Sequence, residues 1–263
     1  MTQTFVDLET AKSATDPVLV VSSLVPSPWS EAAKGLFRLA RVPVLVVRRG
    51  LDTTAIDAWT GVDNVPAVRI GREPVRTNWA AITTLVARLG AGRGGPPLVP
   101  EAPAARAAAF GTLHEIAGED GIGWNARLAM IDAGRTSDGA RGFPPPVSKF
   151  LGRRYGYTAA EASAARARVA AQLAFLDAQL AAQRAAGHAY FGGAAPSAID
   201  VYVATFLTPV AAPIAEADCP GLSPLLRQAF ATAHDALGPL VSPALLAHRA
   251  QMFAEHLAWP IAL

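Results

Sequence analysis

The sequence predicts an α/β domain followed by an all-helical domain. A strand, a helix and a second strand follow one another between Val18 and Val47, which is the pattern of a βαβ unit with parallel strands. Gly90 to Pro103 (GAGRGGPPLVPEAP) has the Gly and Pro density of an interdomain linker, and no convincing strand pattern follows it. We therefore expect an N-terminal arm of low order at residues 1–16, an α/β domain at 17–90, a linker at 91–103 and a helical domain at 104–263.

The first strand runs directly into a helix at Ser27-Pro28. Residues 18–22 (VLVVS) are rich in β-branched side chains, and apolar residues recur at helical spacing from Ser30 onward. Pro28 suits a first helical turn because its φ is already helical and its missing N–H needs no partner there. A helix that starts at this point presents free N–H groups and its positive dipole end, which favour an anion or a thiolate.

The remaining α/β elements follow in short order. A second strand covers Val44 to Val47, and Asp52 to Thr60 is a weak helix or a loop. Asn64 to Ile70 predicts a third strand, and a short turn makes Pro74 to Arg76 an antiparallel fourth strand. A helix at Trp79–Leu89 closes the domain. This order is that of a compact α/β domain of thioredoxin type.

The second half of the sequence is predicted to be helical throughout. The predicted helices are Ala104–Ala117, Ile122–Ala133, Ala159–Ala186 with a buried stripe of Val169, Leu173, Leu176 and Leu180, Ala198–Thr208, Leu222–Leu237 and Pro243–His256. Gly134 to Arg154 is rich in Gly, Pro and basic residues and is expected to be a loop, and a loop of this length in a compact domain is usually functional or mobile. Ser197 and Asp200 form a capping box, which we interpret as structural.

Composition excludes several classes of function. Of 263 residues 51% are hydrophobic. The formal net charge is only +2, and the arginines are scattered along the chain rather than clustered, so nucleic acid is not an expected partner. No apolar run reaches the roughly 18–20 residues that span a bilayer, and the first residues do not resemble a secretory signal. We expect a cytoplasmic protein that does not bind membranes.

Cysteine and histidine usage argues against disulfide and metal chemistry. Cys219 is the only cysteine, which excludes an internal disulfide, a two-cysteine redox motif and a cysteine-rich zinc site. The five histidines contain no HExxH-type pair, although His248 and His256 lie about two helical turns apart. We expect no metal and interpret these histidines as solvated or helix-capping side chains.

Three stretches together resemble the glutathione transferase superfamily, from about Val18 to the C-terminus. They are Ser27-Pro28-Trp29-Ser30 at the first helix, Val65-Pro66 before the third strand, and the capping box at Ser197 to Asp200 preceded by Tyr190-Phe191-Gly192-Gly193. The resemblance is to bacterial-type members with serine at the active-site turn. It implies glutathione transferase architecture, a homodimer, and glutathione lying across the α/β domain as co-substrate.

The resemblance implies that Ser27 is the catalytic residue. A hydroxyl donor beside the free amides of a helix start favours thiolate over thiol and therefore a better nucleophile. The rival interpretation is that Ser27 only caps the helix, as serine often does. Ser22, Ser23 and Ser30 are alternative donors in the same stretch.

The resemblance also implies the binding residues. Val65 would pair its backbone with the cysteinyl part of glutathione ahead of a cis Pro66. The family's Glu-Ser pair for the γ-glutamyl group is replaced here by Asn78-Trp79. The complete predicted glutathione-binding set is Trp29, Lys34, Val65, Pro66, Thr77, Asn78 and Trp79.

An apolar pocket between the domains would take the second substrate. Its predicted walls are Phe110, His114, Trp124 and Tyr155, with Met130 as a further possibility, and the Gly134 to Arg154 segment would close over it.

The leading functional hypothesis is a detoxification enzyme that conjugates the glutathione thiolate to an apolar electrophile. A non-catalytic binder of a hydrophobic ligand or partner, favoured by the loss of the Glu-Ser pair, is the alternative from another class. Glutathione-dependent isomerisation would use the same thiolate and is not separated by sequence. A glutathione-dependent reductase is disfavoured, because such members use an active-site cysteine and Cys219 lies far along the chain.

Overall fold

The computed structural model describes residues 3–263 and shows an α/β part followed by a helical part. The strands of the first part are β1 Thr4–Phe5, β2 Val18–Ser22, β3 Leu45–Arg49 and β4 Ala67–Arg69. Its helices are α1 Leu8–Lys12, α2 Pro28–Leu39, α3 Thr54–Thr60 and α4 Trp79–Gly90. The helical part contains α5 Pro103–Ala117, α6 Ile122–Thr136, α7 Pro145–Arg154, α8 Ala159–Ala185, α9 Ala198–Ala211, α10 Pro224–Leu237 and α11 Pro243–Glu255.

The four strands form one mixed sheet in the order β1-β3-β2-β4. Strand β2 pairs in parallel with β3 and antiparallel with β4, which confirms the predicted βαβ unit. Alternate residues of β2 face opposite sides, as the two-residue period of a strand requires. Leu19 and Val21 belong to the large core shared with α2 and α4, whereas Val18 and Val20 pack in a smaller core with residues of α1 and α3.

The N-terminal segment is better ordered than its sequence indicates. Strand β1 pairs in parallel with β3, and Asp7 caps α1 by accepting a hydrogen bond from the Thr10 N–H at 2.8 Å. Ala11 of this helix is buried against the sheet. The expected low order at residues 1–16 is therefore wrong for this segment, while residues 1 and 2 lie outside the described range. Elements of two and five residues are too short to show a period.

The predicted fourth strand is reduced to a single bridge. Val68 and Arg76 exchange two backbone hydrogen bonds, at 2.8 and 3.0 Å, in the antiparallel sense that was predicted. Pro74 has no N–H to donate, which limits further pairing on this edge.

Gly134 to Arg154 was expected to be a loop, but its second half is helix α7. Pro145 and Pro146 occupy the first turn of this helix, where no intrahelical N–H donor is required. The preceding turn is anchored because Phe143 is buried and its N–H donates to the Met130 carbonyl at 3.2 Å. Runs of proline can therefore open a helix as well as mark a loop.

Helix α9 is the central element of the helical part and also packs against α2. All but two of its residues are buried. Gly35 of α2 lies so close that a Cβ there would come within 2.7 Å of Val201 Cγ1. The stripe predicted for α8 is buried as expected, and the capping box at the start of α9 is present. The linker is also packed, since the Leu98 carbonyl accepts from the Ala198 N–H at 2.8 Å.

His248 does not match the expectation of a solvated or capping histidine. Its side chain is completely buried in α11, and its Nε2 lies 3.3 Å from Asp200 Oδ1. The Phe191 ring packs edge-on against it, with ring centroids 5.1 Å apart. A lone histidine on an apolar helix face is in this case part of the core.

None of the helices in the described part of the chain is long and apolar enough to cross a membrane. Residues 3–263 also hold no cluster of three or more His, Cys, Asp or Glu side chains placed to bind a metal ion.

Candidate functional site

Ser27 occupies the N-cap position of α2, as the sequence predicts, but its hydroxyl does not cap the helix. The residue has extended backbone angles (φ −64°, ψ 121°), and its side chain accepts no hydrogen bond from the first turn. The backbone begins the helix without it, because the Ser27 carbonyl accepts from the Glu31 N–H at 2.9 Å. A half-buried hydroxyl is thus available beside the N–H groups of the first turn, which lack intrahelical acceptors.

The three neighbouring serines are each engaged with backbone. Ser23 Oγ donates to the Arg49 carbonyl at 3.2 Å, and Ser22 Oγ accepts from the Leu24 N–H at 3.4 Å. Ser30 is fully buried, and its Oγ accepts from the Ser22 N–H at 3.4 Å. Among these four serines, only Ser27 makes no side-chain hydrogen bond within the described chain.

The Val65-Pro66 peptide bond is cis, as the resemblance implies. It lies just before β4, the strand that pairs antiparallel with β2. Val65 is half-buried and its backbone groups make no hydrogen bond to residues 3–263, so they are free to pair with an extended peptide.

Asn78 and Trp79 open helix α4 and contribute different groups. Asn78 is exposed and caps the helix, its Oδ1 accepting from the Ala81 N–H at 2.7 Å. The amide nitrogen of Asn78 remains available as a donor. The Trp79 ring turns toward the helical domain and lies 6.1 Å, centroid to centroid, from both Phe110 and His114. Thr77, immediately before this pair, is half-buried.

Lys34 is placed differently from the other predicted glutathione-binding residues. Its side chain is buried, and its Nζ contacts Glu31 Oε1 and the Ala262 carbonyl, each at 2.8 Å. Burial raises the pKa of Glu31, and the Lys34 ammonium opposes that shift. Lys34 therefore joins α2 to the C-terminal segment.

The predicted second-substrate residues form two groups along the domain boundary. Phe110 and His114 lie beside Trp79, as described above. The second group is arranged around Trp29, whose Nε1 donates to the Ala117 carbonyl at 2.9 Å. The Tyr155 ring lies 6.3 Å from the Trp29 ring and 4.7 Å from that of Trp124. Met130 is fully buried and is core rather than wall.

The end of α7 reaches across to the α/β domain. Arg154 Nη2 donates to Asn64 Oδ1 at 2.6 Å, next to Val65-Pro66, and Tyr155 follows directly in the sequence. The Gly134 to Arg154 segment therefore contacts the α/β domain next to Val65-Pro66, and Tyr155, the residue that follows it, packs against Trp29 and Trp124.

Two residues at this boundary and one buried arginine of the helical part were not indicated by the sequence. The Phe206 ring packs edge-on against Trp29 with centroids 4.9 Å apart, and the Tyr202 hydroxyl donates to the Trp79 carbonyl at 3.3 Å. Both lie in the apolar run of α9 and were expected only as core. Arg127 is buried in α6 one turn after Trp124; helical spacing indicates its position, but a charged residue on a helix is usually solvated.

Cys219 is buried, and burial raises the pKa of its thiol to about 11. At about pH 8 the thiol is therefore almost entirely protonated, and protonated thiols are poor nucleophiles. We expect the native protein to resist an aromatic disulfide reagent that labels one thiol per chain after unfolding in urea. Release of the coloured thiolate measures both reactions. Rapid labelling of the native protein would contradict this placement and revive the reductase hypothesis.

Comparisons with known proteins agree with this architecture. Residues 159–238 match the family model described as the C-terminal domain of glutathione S-transferase. The comparison with curated proteins gives no match. Among solved structures, a glutathione S-transferase from Xylella fastidiosa superposes with a TM-score of 0.52 at 17% identity, covering 92% of this chain and 99% of that chain.

Two further solved structures are similar and contain glutathione. One is a glutathione S-transferase from Methylobacillus flagellatus with glutathione bound, at 16% identity and a TM-score of 0.54, covering 90% of this chain and 94% of that chain. The other is a glutathione transferase family member from Pseudomonas fluorescens with two glutathione bound, at 14% identity and a TM-score of 0.53, covering 91% and 96%. Similarity at these identities establishes the glutathione transferase fold for this chain.

Proposed function

We propose that the protein is a glutathione transferase that conjugates the thiolate of glutathione to an apolar electrophile. The observation that carries the proposal is the free Ser27 hydroxyl at the start of α2. It lies in a fold whose similar solved structures from Methylobacillus flagellatus and Pseudomonas fluorescens have glutathione bound.

In the proposed mechanism the glutathione sulfur lies over the first turn of α2. The Ser27 hydroxyl donates to it, and the free N–H groups and positive end of the helix favour its negative charge. These interactions lower the pKa of the thiol and so raise the fraction of thiolate. The thiolate then forms a sulfur–carbon bond with the electrophile, and the leaving group departs with the electron pair of the broken bond.

The rest of the tripeptide would be held by backbone and helix-start groups. Val65 offers its free N–H and C=O to the cysteinyl unit in strand-like pairing. Thr77, the Asn78 amide nitrogen and the start of α4 would receive the γ-glutamyl carboxylate, while the Trp79 ring forms the adjacent wall. The electrophile would lie against the Trp29, Trp124 and Tyr155 rings.

A non-catalytic binding protein is the second candidate function. It is favoured by the structure at Asn78-Trp79, where the Asn78 oxygen is committed to Ala81 and the Trp79 ring packs against the helical domain. Neither side chain reproduces the Glu-Ser pair of the family. A protein of this kind would retain the fold and bind an apolar ligand without glutathione.

Calorimetry and a conjugation assay separate these functions. We expect glutathione to bind at millimolar concentration or tighter, and a chlorodinitrobenzene to be conjugated with saturation in both substrates. The same tripeptide with alanine in place of cysteine is the matched control, since it should bind and inhibit without reacting. Absence of glutathione binding at millimolar concentration would favour the non-catalytic binder. Formation of the homodimer and a cytoplasmic location stay predictions.

A further inference from the structure

Arg127 is a buried cation without an anionic partner. It is 7% exposed, and no carboxylate of the described residues lies within 4.0 Å of its guanidinium. Its Nη1 lies 3.6 Å from the Met130 sulfur, a weak acceptor, and the Tyr155 hydroxyl is its other polar neighbour. Lys34, the other buried lysine or arginine among the described residues, has the Glu31 carboxylate 2.8 Å from its Nζ.

The surroundings of Arg127 only partly compensate its charge. The guanidinium carbon lies 5.6 Å from the centroid of the Phe143 ring and 5.2 Å from that of Phe230, which is within the range of cation–π attraction. Burial lowers the pKa of Arg127, and the neighbouring Tyr155 hydroxyl opposes that shift. Arginine nevertheless stays charged at neutral pH, so an anion placed beside it would be strongly favoured.

Tyr155 connects this cation to the group of aromatic rings at the domain boundary, where the second substrate is proposed to bind. Its ring packs on Trp29 and Trp124, and its hydroxyl adjoins the Arg127 guanidinium. The Tyr155 hydroxyl and the Arg127 guanidinium are therefore two adjoining hydrogen-bond donors at one edge of this group of rings. The guanidinium is charged and the hydroxyl is neutral. An aromatic molecule stacked on these rings would direct a substituent toward this pair.

We infer that the second-substrate position selects aromatic electrophiles that carry a carboxylate or a similar anionic group, with Arg127 and Tyr155 as the specificity-determining residues. The inference rests on the proposed function for the location of the second substrate, but it concerns only the charge of that substrate. An anion held by a buried arginine gains a charge-assisted, directional hydrogen bond that a neutral isostere does not gain.

The test compares two unreactive aromatic probes of nearly the same shape, the anionic 3,5-dinitrobenzoate and the neutral 3,5-dinitrobenzamide. Binding is followed by quenching of tryptophan fluorescence in the presence and absence of glutathione. We expect the wild-type protein to bind the benzoate at least about tenfold more tightly than the amide. Arg127→Met is expected to abolish this preference, and Tyr155→Phe, which removes only a hydroxyl, is expected to reduce it severalfold.

Arg135→Met is the matched control. Arg135 lies two turns further along α6 and stacks on the Tyr157 ring at 4.9 Å, so it has a similar cation–π contact but is exposed. We expect this variant to keep the preference. The melting temperature of Arg127→Met is expected to be unchanged or raised, because replacing a buried charge by an apolar side chain of similar length removes a desolvation cost.

Other results would overturn the inference. Equal binding of the benzoate and the amide to the wild-type protein would show that the site does not select anions, whether or not glutathione binds. A lower melting temperature of Arg127→Met with the preference intact would assign Arg127 to packing alone. A loss of glutathione affinity in Arg127→Met without any benzoate preference in the wild type would assign the cation to a glutathione carboxylate. Glutathione titrations of each variant separate these results from failure of the proposed function.

Discussion

Ser27→Ala is expected to lower the rate of aryl-halide conjugation by about 10²–10³-fold, the loss that follows removal of one donor to a developing or held anion in an active site. The hydroxyl is already free of the helix, so its removal breaks no hydrogen bond of the native protein. The effect should fall on reactivity rather than on folding. In particular, the pKa of bound glutathione should rise, and the pH profile of the rate should shift to higher pH.

Three measurements distinguish this role from a general disturbance of the site. The thiolate of bound glutathione is followed by its ultraviolet absorbance as a function of pH, the affinity for glutathione by calorimetry, and the free energy of unfolding by urea titration. Ser27→Ala should retain both affinity and stability within a small factor. Ser23→Ala is the control, since its hydroxyl donates to the Arg49 carbonyl and should leave the thiolate unaffected. Unchanged turnover in Ser27→Ala would remove Ser27 from the mechanism.

The α/β part of the fold could be predicted because its determinants are local and repeated. The apolar run of β2, Pro28 in a first turn and the helical spacing after Ser30 each indicate the same structure independently. The long α8 stripe and the capping box at Ser197 and Asp200 were predictable for the same reason. The sequence did not predict the short elements β1 and α1. Strand β1 forms by pairing with the edge of β3, and a pattern within residues 1–16 carries no information about that distant strand.

The site was only partly predictable, because helical periodicity shows which residues share one face of a helix but not which element packs against that face. The spacing of Phe110 and His114 places both on one face of α5, yet only the structure shows that Trp79 lies opposite. Lys34 lies on the helix that begins after Ser27, but its side chain is directed to the C-terminal segment. Arg127 was missed because its helical spacing from Trp124 gives its position on α6 but not its burial, and a charged residue on a helix is usually solvated.

Asp200 is the polar residue on which the centre of the helical domain depends. It is fully buried, and its carboxylate accepts from three backbone N–H groups, those of Phe191 at 2.8 Å, Gly192 at 3.1 Å and Ser197 at 2.7 Å. The Ser197 hydroxyl donates a fourth hydrogen bond at 2.9 Å. One side chain thus starts α9 and fixes the preceding turn, and α9 in turn packs against α2 and carries Phe206 beneath Trp29.

Asp200→Ala is therefore expected to lower the free energy of unfolding by about 3–5 kcal/mol. The substitution leaves buried N–H groups without an acceptor, and each such group costs about 1–3 kcal/mol. The loss is measured by urea titration, with an unchanged dependence on urea concentration showing that the native fold is retained.

Asp7→Ala is the matched control for Asp200→Ala. Asp7 also caps a helix through one hydrogen bond, to the Thr10 N–H, but it is exposed, so its replacement should cost only about 1 kcal/mol. Ser197→Ala, which removes the hydroxyl and keeps the carboxylate, should likewise cost about 1 kcal/mol. If Asp200→Ala cost no more than these two variants, the backbone of residues 191–197 would have to be held by packing, and the carboxylate would be dispensable. The three buried N–H groups make the larger loss the expected one, since packing supplies no acceptor in place of the carboxylate.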